Sequence, residues 1–389
     1  MFIAVLLGSH LLAACSAGSG DGSAAGAGHE EAQGSDFGDA VSLVGAVRPA
    51  GGVGLPGIDR DAGVSVALPD GSVVWFFGDT AQRNPDGSLE FFEVGSAAWA
   101  PAGEPLATLD HVASGRVVPF AQPTGDFPPC PARAPRAGMW PLSAVADPTD
   151  DNRVVIWMAN VCLGPDRTLL DHGISVGEWT YDPERPPDGS PVEVEVLNQN
   201  LFPHAEFGDA AVAVGSQIVV YGCAPPDSAG VVITDAGECT AARVRPSSVS
   251  EPSAYEVWSG SGWSRGGGSV AMEMPLDGAG TASPPGPVAV AQMPGGRGYA
   301  MVYTPWPGFA PWFDLRVADS PTGPWSVPHR VRLEDCGPGV DAVEACYGAN
   351  TQPFLSDEEH LGVGYYDRSV AAPRSGGAFM VGLVDIGSA

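Results

Sequence analysis

The chain has 389 residues, of which 53 are Gly and 38 are Pro, and only 16% are charged. Abundant turn formers, with no long segment of 3.6-residue periodicity, exclude a helical protein and point to an all-β chain. Every basic residue is Arg, and 46 acidic residues bring the net charge to −28, a surface that repels nucleic acid and anionic lipid headgroups and favours neutral or cationic partners.

At the N-terminus, residues 2–12 are apolar but too few to span a bilayer as a permanent helix. They lead into Leu12-Ala13-Ala14-Cys15, which resembles a bacterial lipobox, although no Lys or Arg precedes it. The resemblance implies a signal peptide over residues 1–15, cleavage before Cys15, and a lipid on its sulfur. It makes the protein exported and held at the cell envelope, with the membrane as a partner through the lipid. Residues 16–40 are rich in Gly, Ala and Ser and cannot bury a core, so they read as a disordered tether. The folded domain is expected over residues 41–389, as a monomer.

Residues 58–80 set the pattern for that domain. After Asp59-Arg60-Asp61, small and apolar residues run over 63–68, Pro69-Asp70-Gly71 makes a tight turn, and the β-branched and aromatic run 73–77 returns to Gly78-Asp79-Thr80. A hairpin brings the start of its first strand beside the end of its second, so Asp61 and Asp79 should share one rim. The pattern recurs in 140–146 with 154–158, in 207–214 with 217–221, in 287–293 with 298–303, and in 351–355 with 361–366. The turns fall roughly 60 to 80 residues apart, one four-stranded sheet per repeat, which predicts a five-bladed β-propeller rather than a β-sandwich. Outer strands are expected at 96–99 and 116–120, at 173–181 and 192–197, at 238–245 and 255–263, and at 313–319.

Cys15 stands apart from Cys130, Cys162, Cys223, Cys239, Cys336 and Cys346. An even set in an exported chain suggests disulfides; local pairing would join neighbours in sequence, but six cysteines permit 15 connectivities. No CxxC occurs, which argues against structural zinc. No cofactor is predicted, with calcium the one ion left open.

The mouth where the innermost strands begin should collect Asp59, Arg60, Asp61 and Asp79, then Trp140, Glu206, Asp209, Asn350 and Gln352, with Asp367 and Arg368. Carboxylates beside an aromatic suit a sugar: the ring stacks, hydroxyls bond to carboxylates and amides, and a carboxylate pair divides acid and base roles. Asp61, Asp79, Glu206 and Asp209 are the catalytic candidates. Asp59, Arg60, Trp140, Asn350 and Gln352 are the substrate-binding ones, with Arg60 placed to hold one carboxylate ionised. Each also has an ordinary structural role open to it, as a turn, ion-pair or core residue.

Arg60-Asp61-Ala62-Gly63, Phe77-Gly78-Asp79-Thr80, Trp140-Pro141-Leu142-Ser143, Tyr255-Glu256-Val257-Trp258 with Gly262-Trp263, and Gly323-Pro324-Trp325-Ser326 after Asp319-Ser320-Pro321 together resemble a secreted bacterial propeller family of unknown function. Some of its members are endo-D-arabinanases. The layout more distantly resembles arabinanase and xylosidase-type glycosidases, which take one acidic residue from each of three blades. Asp61 matches the first, but Trp140-Pro141-Leu142 offers no acid in the second and Glu206-Phe207-Gly208 departs from the third. The resemblance implies a glycoside hydrolase acting on a neutral or furanose-containing polysaccharide, with carbohydrate as partner. A non-catalytic propeller that binds glycan or protein is the alternative.

Overall fold

A computed structural model describes residues 37–50, 58–84, 86, 88–164, 169–187, 190–204, 206–223, 238–275, 285–305, 308–334, 336, 346–368 and 377–387. The lipobox and residues 16–36 of the expected tether lie outside these. Among the described residues there is no α-helix, and the strands form a five-bladed β-propeller. Blade I is built on Ile58–Arg60 and Val64–Ala67, both paired to Val73–Arg83, followed by Leu89–Ala100, Ala107–Asp110 and, at its edge, Arg48–Pro49. Blade II is the meander Arg136–Asp147, Asp150–Leu163, Leu169–Thr180 and Glu195–Phe202. Blade III runs from Ala210–Val214 through Gln217–Gly222 and Thr240–Val244 to Glu256–Trp258 and Trp263–Ser264. Blade IV comprises Pro285–Gln292, Tyr299–Pro305, Trp312–Ala318 and His329–Arg332. Blade V comprises Cys346–Thr351, His360–Asp367 and Ala378–Asp385, and its outer strand is Ser42–Ala46, from the other end of the chain.

The ring is closed twice. Ser42–Ala46 pairs antiparallel with Ala378–Asp385, while the next residues, Arg48–Pro49, pair parallel with Ala107–Asp110 of blade I. Nearer the axis, Ser65 Oγ donates to Gln352 Oε1, and the amides of Gln352 and Asn350 both donate to Gly63 O at 2.9 and 2.8 Å.

Five apolar clusters fill the five interfaces between blades. The strand Val73–Arg83 illustrates why its sequence is nearly continuous in apolar residues. Val74 and Phe76 face blade II, whereas Val73, Trp75 and Phe77 face blade V. Side chains alternate between faces along a strand, and in a propeller both faces are buried. All five are at most 2% exposed.

Several expected strands shift. The inner strand of blade V is Cys346–Thr351, not 351–355, because Pro353 lacks an N–H for the ladder and opens a 3-10 turn through Leu355. Arg116–Val117 pairs only with Val112–Ala113, so the outer positions of blade I fall to Ala107–Asp110 and Arg48–Pro49. The strands Ser42–Ala46 and His329–Arg332 were not expected at all. The disulfides join Cys130 to Cys162, Cys223 to Cys239 and Cys336 to Cys346, the local pairing.

Candidate active site

The innermost strands surround an axial channel of about 300 Å3, lined by Val64–Ala67 and by residues 142–146, 209–213, 289–292 and 350–351. Its walls are mostly Val and Ala, so the polar chemistry gathers where these strands begin. There the innermost strand of blade I breaks. Ile58–Arg60 pairs with residues 80–82 and Val64–Ala67 with residues 73–76 of the same neighbour, leaving Asp61, Ala62 and Gly63 to step out of the ladder. Ala62 takes a left-handed φ of 47° to make that step.

Backbone bonds hold the break: Asp61 N–H donates to Asp79 O at 3.2 Å, and Gly78 N–H to Asp61 O at 2.9 Å. The Asp61 carboxylate then folds over Gly78 and accepts the Asp79 N–H on Oδ1 at 2.7 Å. A Cβ on residue 78 would sit 2.7 Å from that oxygen, so only Gly fits beneath it. Asp61 Oδ2 accepts the Tyr347 hydroxyl at 2.7 Å.

Asp79 is 8% exposed, and its Oδ1 is buried without a hydrogen-bond partner, as is the Trp140 indole Nε1. Burial pushes the Asp61 carboxyl up to about 6 against the pull of the Tyr347 hydroxyl and the backbone N–H groups. Burial, then the Asp61 charge, push Asp79 well above the usual carboxylate range; the Trp140 indole and the Arg136 guanidinium oppose that rise, and Asp59 adds to it. The two carboxyls interact directly, and of the two Asp79 is the one that burial and its neighbour's charge push toward the protonated form.

Blades IV and V supply an aromatic wall to this pair. Phe309 forms a bridge with Tyr347 and packs edge-on against it with ring centroids 5.2 Å apart, and Tyr347 lies 4.9 Å from Tyr366. The Tyr366 hydroxyl donates to Asp59 Oδ1 at 2.6 Å. These three rings went unnoticed in the sequence because each follows Gly or Cys in a segment with no strand periodicity or lies inside an apolar run. The repeated Tyr365-Tyr366 beside Asp367 was the available signal.

The other candidates occupy different settings. Arg60 turns away from the pair: it is buried, ion-paired to Asp110 at 2.6 Å and stacked 4.7 Å over the Phe77 ring. Asn350 and Gln352 spend their amides joining blade V to blade I, and Gln352 is fully buried. Trp140 is the exception that reaches the pair: half-buried against the cluster between blades II and III, it turns its indole toward Asp79. Glu206 stands on the loop before blade III with Oε2 buried and unpartnered. Asp209 lines the channel and accepts the Cys223 N–H at 2.8 Å, and burial pushes its carboxyl up to about 6. Among the described residues no hydrogen bond or ion pair links Glu206 or Asp209 to Asp61 or Asp79, and no cluster of three or more His, Cys, Asp or Glu is arranged to hold a metal ion.

No protein-family profile matches the sequence, and neither does any curated protein. Solved structures do match. A protein of Bacteroides ovatus provisionally described as a hydrolase aligns with a TM-score of 0.58 and 17% identity over 84% of this chain and 85% of its own. A GH43_1 enzyme of Xanthomonas citri, solved with xylotriose, gives 0.47 and 12% over 88% and 90%. An exo-1,5-alpha-L-arabinanase from a bovine ruminal metagenomic library gives 0.44 and 10% over 84% and 92%. Solved structures similar to this chain thus include propeller glycoside hydrolases, and the likeness is one of fold.

Proposed function

We propose that the protein is a glycoside hydrolase of the cell envelope that cleaves a neutral or furanose-containing polysaccharide. The observation that carries this is the coupled Asp61–Asp79 pair at the mouth of the channel, beside the Phe309 and Tyr347 rings. Asp79, whose neutral form burial and the Asp61 charge favour, is the general acid that protonates the glycosidic oxygen. Asp61, ionised above about 6, acts on the opposite side of the bond as base or nucleophile. The aromatic wall offers a face for a sugar ring. A net charge of −28 works against a polyanionic substrate, which is why a neutral glycan is favoured.

The test is a screen of the purified protein for reducing ends released from a panel of neutral and acidic polysaccharides. Release from a neutral or furanose-containing polymer, absent in Asp79→Asn, supports the reading. Binding without release would place the protein among non-catalytic glycan binders. For attachment, Leu12-Ala13-Ala14-Cys15 motivates a lipid on Cys15. Cys15→Ala should move the protein from the membrane fraction to the soluble one, and a wild type already soluble would reject the anchor.

A further inference from the structure

Asp61 and Asp79 are the same residue type, a few ångströms of backbone apart, and what separates them is their donors. Asp61 has a donor on each oxygen, the Tyr347 hydroxyl and the Asp79 N–H, both at 2.7 Å. Asp79 Oδ1 has no well-formed hydrogen bond, and the side-chain donor that faces Asp79 is the Trp140 indole. A carboxylate that accepts on both oxygens is favoured in its charged form, whereas a buried one with so weak a donor is favoured in its neutral form. Of the two donors on Asp61, the backbone N–H is fixed by the strand, so the one that a side chain controls is Tyr347. Its position is in turn set by the Phe309 ring, by Tyr366, and by the Cys336–Cys346 disulfide on the preceding residue. The other charged or titratable groups facing the pair are Asp59 and Arg136 beside Asp79, with Arg368 beyond Tyr366.

We propose that Tyr347 is a positioning residue: its hydroxyl keeps Asp61 the charged member of the pair and so leaves the proton on Asp79. The inference rests on the hydrolase reading above for its catalytic meaning. In that step the Asp79 proton passes to the glycosidic oxygen, which leaves with the electron pair of the broken C–O bond, while the Asp61 carboxylate either takes a proton from a water whose oxygen bonds to the anomeric carbon or bonds to that carbon itself, in an ester that water then hydrolyses.

Tyr347→Phe keeps the ring and removes the donor. Without it the neutral form of Asp61 is favoured, its titration midpoint rises, and activity that needs the charged form is lost earlier as pH falls. The acidic limb of the pH–rate profile should therefore move up by about one pH unit, with kcat near pH 6 down about fivefold and KM within about twofold. A purely structural tyrosine would lower the folded fraction without moving the limb. Carbon-13 carboxyl titration, with the Asp61 signal assigned through Asp61→Asn, reads the same shift without activity. An Asp61 midpoint that stays in place in Tyr347→Phe overturns the proposal. Should that variant not fold, the wild type decides, since an Asp61 midpoint above that of Asp79 also overturns it. If the wild type hydrolyses nothing while the midpoint moves as described, the hydrolase reading falls and the proton assignment stands.

Discussion

The two ends of the channel carry acidic residues in opposite states. At the end where hairpin turns close, each carboxylate is wrapped by its own turn. Asp70 accepts the Ser72 N–H and hydroxyl and the Tyr181 hydroxyl, and Asp147 accepts the Thr149 N–H and hydroxyl and pairs with Arg153. Asp357 is capped in the same way by the N–H groups of Glu359 and His360 and by the His360 ring. These donors outweigh burial and hold Asp70 and Asp147 below their ordinary value, and the caps do the same for Asp357. At the end where innermost strands begin, burial outweighs whatever donors are present, and Asp61, Asp79 and Asp209 are all raised. A carboxylate satisfied by its own turn stabilises the fold; one buried without enough donors costs stability and is kept for another purpose.

The largest expected effect separates the two ends by activity. Asp61→Asn and Asp79→Asn should each reduce hydrolysis by about 10²–10⁴-fold with thermal unfolding little changed, whereas Asp70→Asn should leave turnover intact. Full activity in either rim variant removes that residue from the mechanism. Asp147→Ala reverses the pattern. It leaves Arg153 with Glu178 as its one ion-pair partner, beside the Pro246 carbonyl, and uncaps the turn, so urea unfolding should show a loss of about 1–3 kcal/mol at unchanged activity.

The smallest effect is on pH. Asp61 and Asp209 bind protons more tightly folded than unfolded, so their penalty is relieved as pH falls through about 6. Asp70 and Asp147 contribute stability above their ordinary value of 3.8 and lose it as pH falls through their lower folded values. Unfolding free energy should therefore rise from about pH 7 toward 5 and drop below about 4. Asp209→Asn, which still accepts the Cys223 N–H, should flatten the rise; an unchanged slope would mean that Asp209 is not raised.

The hairpin periodicity carried the blade count because each turn holds residues with a local reason to turn, such as Gly71 at φ 82° and the Asp147 cap. It also placed Asp61 next to Asp79, since a hairpin's geometry follows from its turn. What stayed hidden was non-local. Ser42–Ala46 carries no mark that it will pair with Ala378–Asp385, more than three hundred residues away. The pairing of Arg60 with Asp110 rather than with a rim carboxylate depends on the fold of blade I as a whole. Tyr347 reaches Asp61 only because blade V closes against blade I, and the amides of Asn350 and Gln352 are consumed by that same closure.

The contrast between the two ends is tested most directly by one carbon-13 titration of the aspartate carboxyls in the wild-type protein. The prediction is a midpoint near 6 for Asp61, a higher one for Asp79 coupled to it, and midpoints below 3.8 for Asp70, Asp147 and Asp357. Midpoints for Asp61 and Asp79 that fall together with those of the turn residues would contradict it.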